Sequence, residues 1–296
     1  MKIKFWGTRG SIPTPSTSSF LTTLYGGDTT CVSVEFQEQM IILDAGSGVR
    51  LLGLDFLKEQ RRHATFFFTH MHWDHIQGFP FFSPAFISGN TFELYGPALP
   101  SAPHVIGSIL EKTLRGQQEY LTFPIQLNDM PATLKFSDIT PGNPVTLTAK
   151  SGSRMVVSCA QLNHPGGCLG YRLEEKNPNQ PDKIFTFVTD TEHDRFPNPH
   201  IQELAKNADV FLYDTQYTDA EYNGDVGFSR VGWGHSTWTH GLKEAQKAGA
   251  KKLLLFHHDP MHDDTFLANL EAEAASAGKK IGIEVLAAKQ FLEIEI

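Results

Sequence analysis

Six residues, His70-Met71-His72-Trp73-Asp74-His75, carry four good metal ligands directly after the apolar run Thr65-Phe66-Phe67-Phe68. A run of that length and composition reads as a fully buried strand. Ligands at i and i+2 on its extended end point the same way, and the next turn brings Asp74 and His75 round to a second position. Imidazole and carboxylate together suit zinc, manganese or iron. A metal site needs further ligands, and three candidates stand at other strand ends. His164 follows the strand ending at Leu162, Asp190 ends Phe185-Thr186-Phe187-Val188-Thr189, and His257 ends Leu253-Leu254-Leu255-Phe256. A lone histidine or aspartate in such a place is usually a turn residue. Three of them, in a chain that already holds the six-residue cluster, point instead to one shared site.

Strands and helices must alternate to bring these ends together. Residues 2–6, 31–36, 40–43 and 65–68 read as strands, with a helix over about 49–60. In the second half, 154–162, 169–174, 183–189, 210–213 and 252–256 read as strands, and 237–247 and 263–276 as helices. Alternating elements with short apolar strands predict an α/β layered fold with the helices outside. Residues 79–150 are rich in Phe and Pro, with a helix over about 102–115, and read as an insertion or lid over the site. No Pro/Gly/Ser linker divides the halves, so residues 1–296 are expected to form one domain of two similar lobes.

Composition narrows the function. With 296 residues, 40% of them hydrophobic, the chain can bury a core unaided. No apolar run approaches the roughly 20 residues of a membrane-spanning helix, and the N-terminus lacks the apolar stretch of a secretory signal. Three cysteines (Cys31, Cys159 and Cys168) are too few for a disulfide framework, so a reducing cytoplasm is expected. A net charge of −8 with scattered Lys and Arg offers no basic stripe for a long phosphate backbone. No stable nucleic-acid partner and no membrane partner are therefore expected.

The motifs Leu43-Asp44-Ala45-Gly46, His70/His72/Asp74/His75, His164, Asp190 and His257 match, in order, the five motifs of the metallo-β-lactamase-fold hydrolases. The chain resembles that superfamily along nearly its whole length. The resemblance implies a four-layered αββα sandwich with two divalent metal ions, zinc or manganese first and iron also possible. In the family pattern His70, His72 and His164 hold one metal, and Asp74, His75 and His257 the other. Asp190 bridges them, and Asp44 orients a ligand histidine or loop. The same pattern favours His257 over its neighbour His258 as ligand, and makes Cys168 a small buried residue.

The last third is similar to the phosphodiesterase branch, ribonuclease Z and the cyclic phosphodiesterase of phosphonate breakdown. Leu212-Tyr213-Asp214-Thr215-Gln216 and Gly234-His235-Ser236-Thr237 carry that likeness. There Asp214 would orient His235, with Asp where ribonuclease Z has Glu. The implied chemistry is phosphodiester hydrolysis by a metal-activated water. Asp74 would accept a proton, and His235 would stabilise the phosphorane or protonate the leaving oxygen. A cyclic nucleotide is the first-placed substrate. The alternatives are a ribonuclease Z-like nuclease, disfavoured by the 26 positions between His164 and Asp190, which leave no room for a long tRNA-binding arm, and a lactamase or thioesterase. The branch also implies a homodimer. Trp73, Phe79, Phe81, Phe82 and Phe86 could stack on a base, though most of them read as core.

Overall fold

In the computed structural model, which describes residues 1–98, 108–178, 180–193 and 198–296, the apolar strands form two mixed seven-stranded sheets. Side by side in the first lie β1 (Lys2–Gly7), β2 (Cys31–Phe36), β3 (Gln39–Leu43), β4 (His63–Phe67), β5 (Thr91–Pro97) and β6 (Thr133–Ile139). The second holds β7 (Val145–Thr148), β8 (Arg154–Leu162), β9 (Cys168–Lys176), β10 (Lys183–Val188), β11 (Val210–Asp214), β12 (Lys252–Phe256) and β13 (Glu284–Ala287). β14 (Glu293–Glu295) returns to pair with β1 at the edge of the first sheet.

Alternating side chains divide the apolar residues among three layers, as a period of two requires. Ile41, Leu43 and Phe67 enter the layer between the sheets, where they join Tyr171, Phe187, Leu212 and Phe256. Ile42, Phe66 and Phe68 face the other way, against Val49, Leu52 and Phe56 of α1 (Val49–Lys58). Leu253 and Leu255 likewise point outward. The remaining helices among the described residues are α2 (Trp73–Ile76), α3 (Ile109–Gln117), α4 (Pro199–Ala205), α5 (Asp219–Asn223), α6 (Trp238–Ala248) and α7 (Asp264–Lys280). α1 and α3 cover the first sheet, and α4, α6 and α7 cover the second. The result is the αββα order expected.

The 79–150 stretch departs from the sequence reading. Thr91-Phe92-Glu93-Leu94-Tyr95 alternates with period two, and β5 and β6 extend the first sheet in parallel register. β7 completes the edge of the second. Much of this stretch is therefore sheet rather than lid, because Phe92 and Leu94 are needed to bury the outer face of the first sheet. The helix expected over 102–115 is seen at Ile109–Gln117, where Ser108 caps it by accepting from the Glu111 amide. The start of the expected helix, with His104, lies outside the described residues. Phe79 and Phe82 are fully buried around Phe66, at 6.0 and 5.3 Å between ring centroids, so they are core and not stacking surfaces.

Direction within the sheets positions the site. β3 and β4 run parallel, as do β10, β11 and β12, while β8 shares their direction through β9. The residues that follow these strands therefore emerge at one edge of the sandwich, the usual place for ligands in such sheets.

Candidate metal centre

Three strand-ending residues turn sharply into this edge. Asp44, Asp190 and His257 have φ of 59°, 49° and 63°, in the left-handed region. Asp visits this region occasionally and His with more strain, at about 1–3 kcal/mol each, and such strain persists only where the surroundings impose it. The turn swings each side chain off the strand's own faces and toward the junction of the two sheets.

Three groups of ligand atoms result among the described residues, the atoms of each within 4.8 Å of one another; one, Asp214, His235 and His257, is taken up below. The other two are His70, His72, His164 and Asp190, and Asp74, His75, Asp190 and His257. Asp190 belongs to both: its Oδ1 lies 3.2 Å from His75 Nε2 and 3.3 Å from His257 Nε2, and its Oδ2 3.6 Å from His70 Nε2. Asp74 Oδ2 approaches His75 Nε2 and His257 Nε2 at 3.3 and 3.2 Å. All seven residues expected to hold metal are brought together.

The other ring nitrogens are tied back. His75 Nδ1 pairs with Asp44 Oδ2 at 2.8 Å, and Asp44 also accepts from the Thr69 amide and hydroxyl. His164 Nδ1 meets the Gly234 carbonyl at 2.8 Å, His70 Nδ1 the Thr69 hydroxyl at 3.0 Å, and His257 Nδ1 the Gln216 Oε1 at 2.9 Å. Such partners fix ring orientation and strengthen a histidine as a ligand.

The residues fit metal. His70 Nε2 and His75 Nε2 are buried yet make no hydrogen bond, an arrangement that costs energy unless something else occupies the nitrogens. Burial opposes a charge on His75, but Asp190, Asp74 and Asp44 outweigh it and hold its pKa well above the ordinary value. Burial also works against the Asp190 carboxylate, yet His257, His75 and His70 keep its pKa well below the usual range. Positive charge is thus favoured at His75, whereas burial, with neighbouring imidazoles, pushes His70, His72 and His164 toward the neutral form that can ligate, and the nitrogen and oxygen donors are compatible with two divalent ions.

Beside the second group stands His235. Its Nδ1 is 2.8 Å from Asp214 Oδ2, and Asp214 is fully buried, accepting also from the amides of Thr191 and Gln216. Asp therefore reaches as needed despite its short side chain. Burial opposes charge on His235, but Asp214 raises its pKa to about 9. The ring lies 5.0 Å from that of His257 and 5.2 Å from that of His164. Gly234, with φ of 89°, brings the chain close: a Cβ there would lie 2.3 Å from His164 Nδ1. Thr237 rather than Ser236 caps α6, accepting from the His240 amide.

His258 is turned away, its Nε2 bonded to the Ala288 carbonyl at 2.8 Å. Cys168 is buried outside both groups, where burial pushes its thiol up. Sequence reasoning missed Gln216 and Ser11. Gln216 also donates to Asp259 and Tyr217, and the Ser11 amide donates to Asp74 Oδ2 at 2.7 Å. Ser11, with φ of 65°, sits in the Gly/Ser/Thr/Pro loop before β2, and nothing in that composition signals a role.

Residues 39–258 match the Beta-lactamase superfamily domain. Among curated proteins, "Ribonuclease Z" of Acaryochloris marina is 25% identical, with 93% of this chain and 92% of that protein covered. "Ribonuclease BN" of Proteus mirabilis is 25% identical, over 87% of this chain and 88% of its own length. These names favour the ribonuclease alternative over the cyclic nucleotide that the sequence alone puts first. Among solved structures, a diphosphatase from the PhnP family has a TM-score of 0.67 at 16% identity, covering 100% of this chain and 97% of its own. Human tRNase Z, short form, has 0.63 at 19%, covering 100% and 99%. The chain belongs to the beta-lactamase superfamily, and it has the fold of that superfamily's metal-dependent hydrolases.

Proposed function

We propose that this enzyme hydrolyses a phosphodiester bond in RNA, with His235 as the acid–base group beside the metal clusters. The observation that carries the reading is the buried Asp214–His235 pair at 2.8 Å, set 5.0 Å from the ring of His257. An imidazolium held there can stabilise charge on a phosphoryl oxygen or protonate the leaving oxygen. His70, His72 and His164 would hold one divalent ion, Asp74, His75 and His257 the other, with Asp190 between. When bound, such ions supply an activated water and charge neutralisation. Asp74, which accepts from the Ser11 amide, would take up the proton. RNA as substrate is supported by the relatives named ribonuclease Z.

Any grip on RNA must be local. β9 and β10 are joined across residues 177–182, a short connection, and the chain is acidic. The same two facts favour the second reading, a small cyclic nucleotide. A cytoplasmic setting, for which three buried unpaired cysteines argue, and a homodimer belong to the same proposal. The test is turnover by zinc- or manganese-loaded protein of a tRNA precursor carrying a 3′ extension, and of 3′,5′-cyclic AMP. His70→Ala and His235→Ala run alongside. RNA cleavage lost in both variants supports the first reading. Turnover of cyclic AMP alone moves the conclusion to the second, and failure on both and on bis-p-nitrophenyl phosphate sinks phosphodiester hydrolysis.

A further inference from the structure

Four large apolar side chains stand in water in one short loop beside the centre. Val226, Phe228, Val231 and Trp233 are 50–61% exposed. The loop is firmly held. Glu192 accepts from the amides of Gly232 and Gly234 at 2.6 and 3.0 Å and from the Tyr222 hydroxyl at 2.6 Å. The Arg230 guanidinium lies 5.0 Å over the Tyr217 ring and 5.1 Å over Phe228, whose ring packs 5.4 Å from that of Trp233. So much fixed structure around an exposed indole marks a contact surface rather than a slack turn.

Its placement says what it contacts. Trp233 precedes Gly234, whose carbonyl meets His164 Nδ1, and it stands two residues before His235. On the other side of the same imidazole, His164 Nε2 lies 3.0 Å from His72 Nδ1. The residue after His72 is Trp73, 81% exposed. Two exposed tryptophans, one from each lobe, thus adjoin the two partners of one histidine of the centre.

We propose that Trp233, packed against Phe228, is a stacking platform for the nucleobase next to the scissile phosphate, with Trp73 as its counterpart on the first lobe. This specificity rests on the phosphodiester reading above. Indole faces stack on any base, so the platform selects nucleotides over other diesters without choosing among bases.

The experiment uses the metal-loaded full chain and two esters with one leaving group: thymidine 5′-p-nitrophenyl phosphate and methyl p-nitrophenyl phosphate, which has no base. Trp233→Ala should raise KM for the thymidine ester about tenfold, in the range of one lost base stack. It should leave kcat and the methyl ester nearly unchanged, Trp233→Phe should restore most of the loss, and Trp73→Ala should act in the same direction. Parallel changes in both esters, or no change in either, overturn the proposal. If the wild type turns over neither ester, the phosphodiester reading is decided by the tRNA precursor, cyclic AMP and bis-p-nitrophenyl phosphate as above, and the platform is judged by quenching of tryptophan fluorescence with AMP. Quenching abolished in Trp233→Ala supports it, and equal quenching in both proteins overturns it. A concentration-dependent association lost in the variant, with KM unchanged, assigns the loop to a second copy of this chain and also overturns it.

Discussion

Gly10→Ala would strike the metal centre without touching a ligand. A Cβ on Gly10 would lie 2.4 Å from Cε1 and 2.5 Å from Nδ1 of His257. Gly10 is not in the left-handed region, so alanine can adopt its backbone and the effect is purely one of space. Carbon atoms settle at about 3.5–4.0 Å, so ring and residue must part by about 1 Å. If the ring yields, Nδ1 leaves the Gln216 oxygen at 2.9 Å and Nε2 shifts from its place 3.2 Å from Asp74. If the loop yields, the Ser11 amide leaves Asp74 and the Gly10 amide leaves the His258 carbonyl at 3.0 Å. Both routes damage the Asp74/His75/His257 group and spare His70, His72 and His164. Loss of an outer partner costs about 10–100-fold in metal affinity, and overpacking about 1–3 kcal/mol in stability. Metal content by mass spectrometry after dialysis against buffered free metal should show one ion weakened by that factor and the other retained. Wild-type affinity for both ions, or equal loss of both, would refute the steric reasoning.

Other expectations follow from the same geometry. Asp214→Asn keeps the shape but sets an amide donor against the Thr191 or Gln216 amide; kcat should fall about 10²–10⁴-fold with metal content unchanged by mass spectrometry. Removing metal with a chelator should lower Tm, since saturation at 100 times Kd adds about 2.7 kcal/mol; an unchanged calorimetric transition would count against a folded-state metal site. Burial opposes the Glu244 charge, but bonds from His240, Lys247 and Gln202 lower its pKa to about 2. Its stabilising effect should be complete above the unfolded value of 4.5 and lost as pH falls through about 2. At about 1.4 kcal/mol per unit, Glu244→Gln should cost no more than about 3 kcal/mol at neutral pH and nothing below pH 2, checked by denaturant titration across that range. Phe66→Ala, which empties a fully buried ring position among Phe68, Phe79, Phe82 and Phe92, should cost about 3–5 kcal/mol by the same method.

The clustered side chains were legible because they stand at, or within a turn or two of, the place where an apolar strand stops, and a strand's end is visible in sequence. His257 could be told from His258 only by analogy. The structure separates them by direction: one turns into the cluster at φ 63°, the other is drawn back by the Ala288 carbonyl. β5 was hidden by the Phe and Pro around it, although Thr91 to Tyr95 alternates plainly; β6 exposes most of its residues and carries little apolar signal. Gln216, Ser11 and Glu192 act through hydrogen bonds that long-range folding creates, 41 residues apart for Gln216 and His257 and 63 for Ser11 and Asp74. Their types and local spacing say nothing of it.

Neither sheet owns a complete cluster. The first group takes His70 and His72 from the chain after β4, but His164 and Asp190 from the chain after β8 and β10. The second joins Asp74 and His75 to Asp190 and His257 in the same way. A chain in which only one sheet has formed therefore offers at most two side chains to either ion, and tight uptake must wait until the sheets close on each other. Interactions made that late weigh on escape from the native state more than on arrival at it. Bound metal would set how long the folded enzyme lasts, and leave largely untouched how fast it forms.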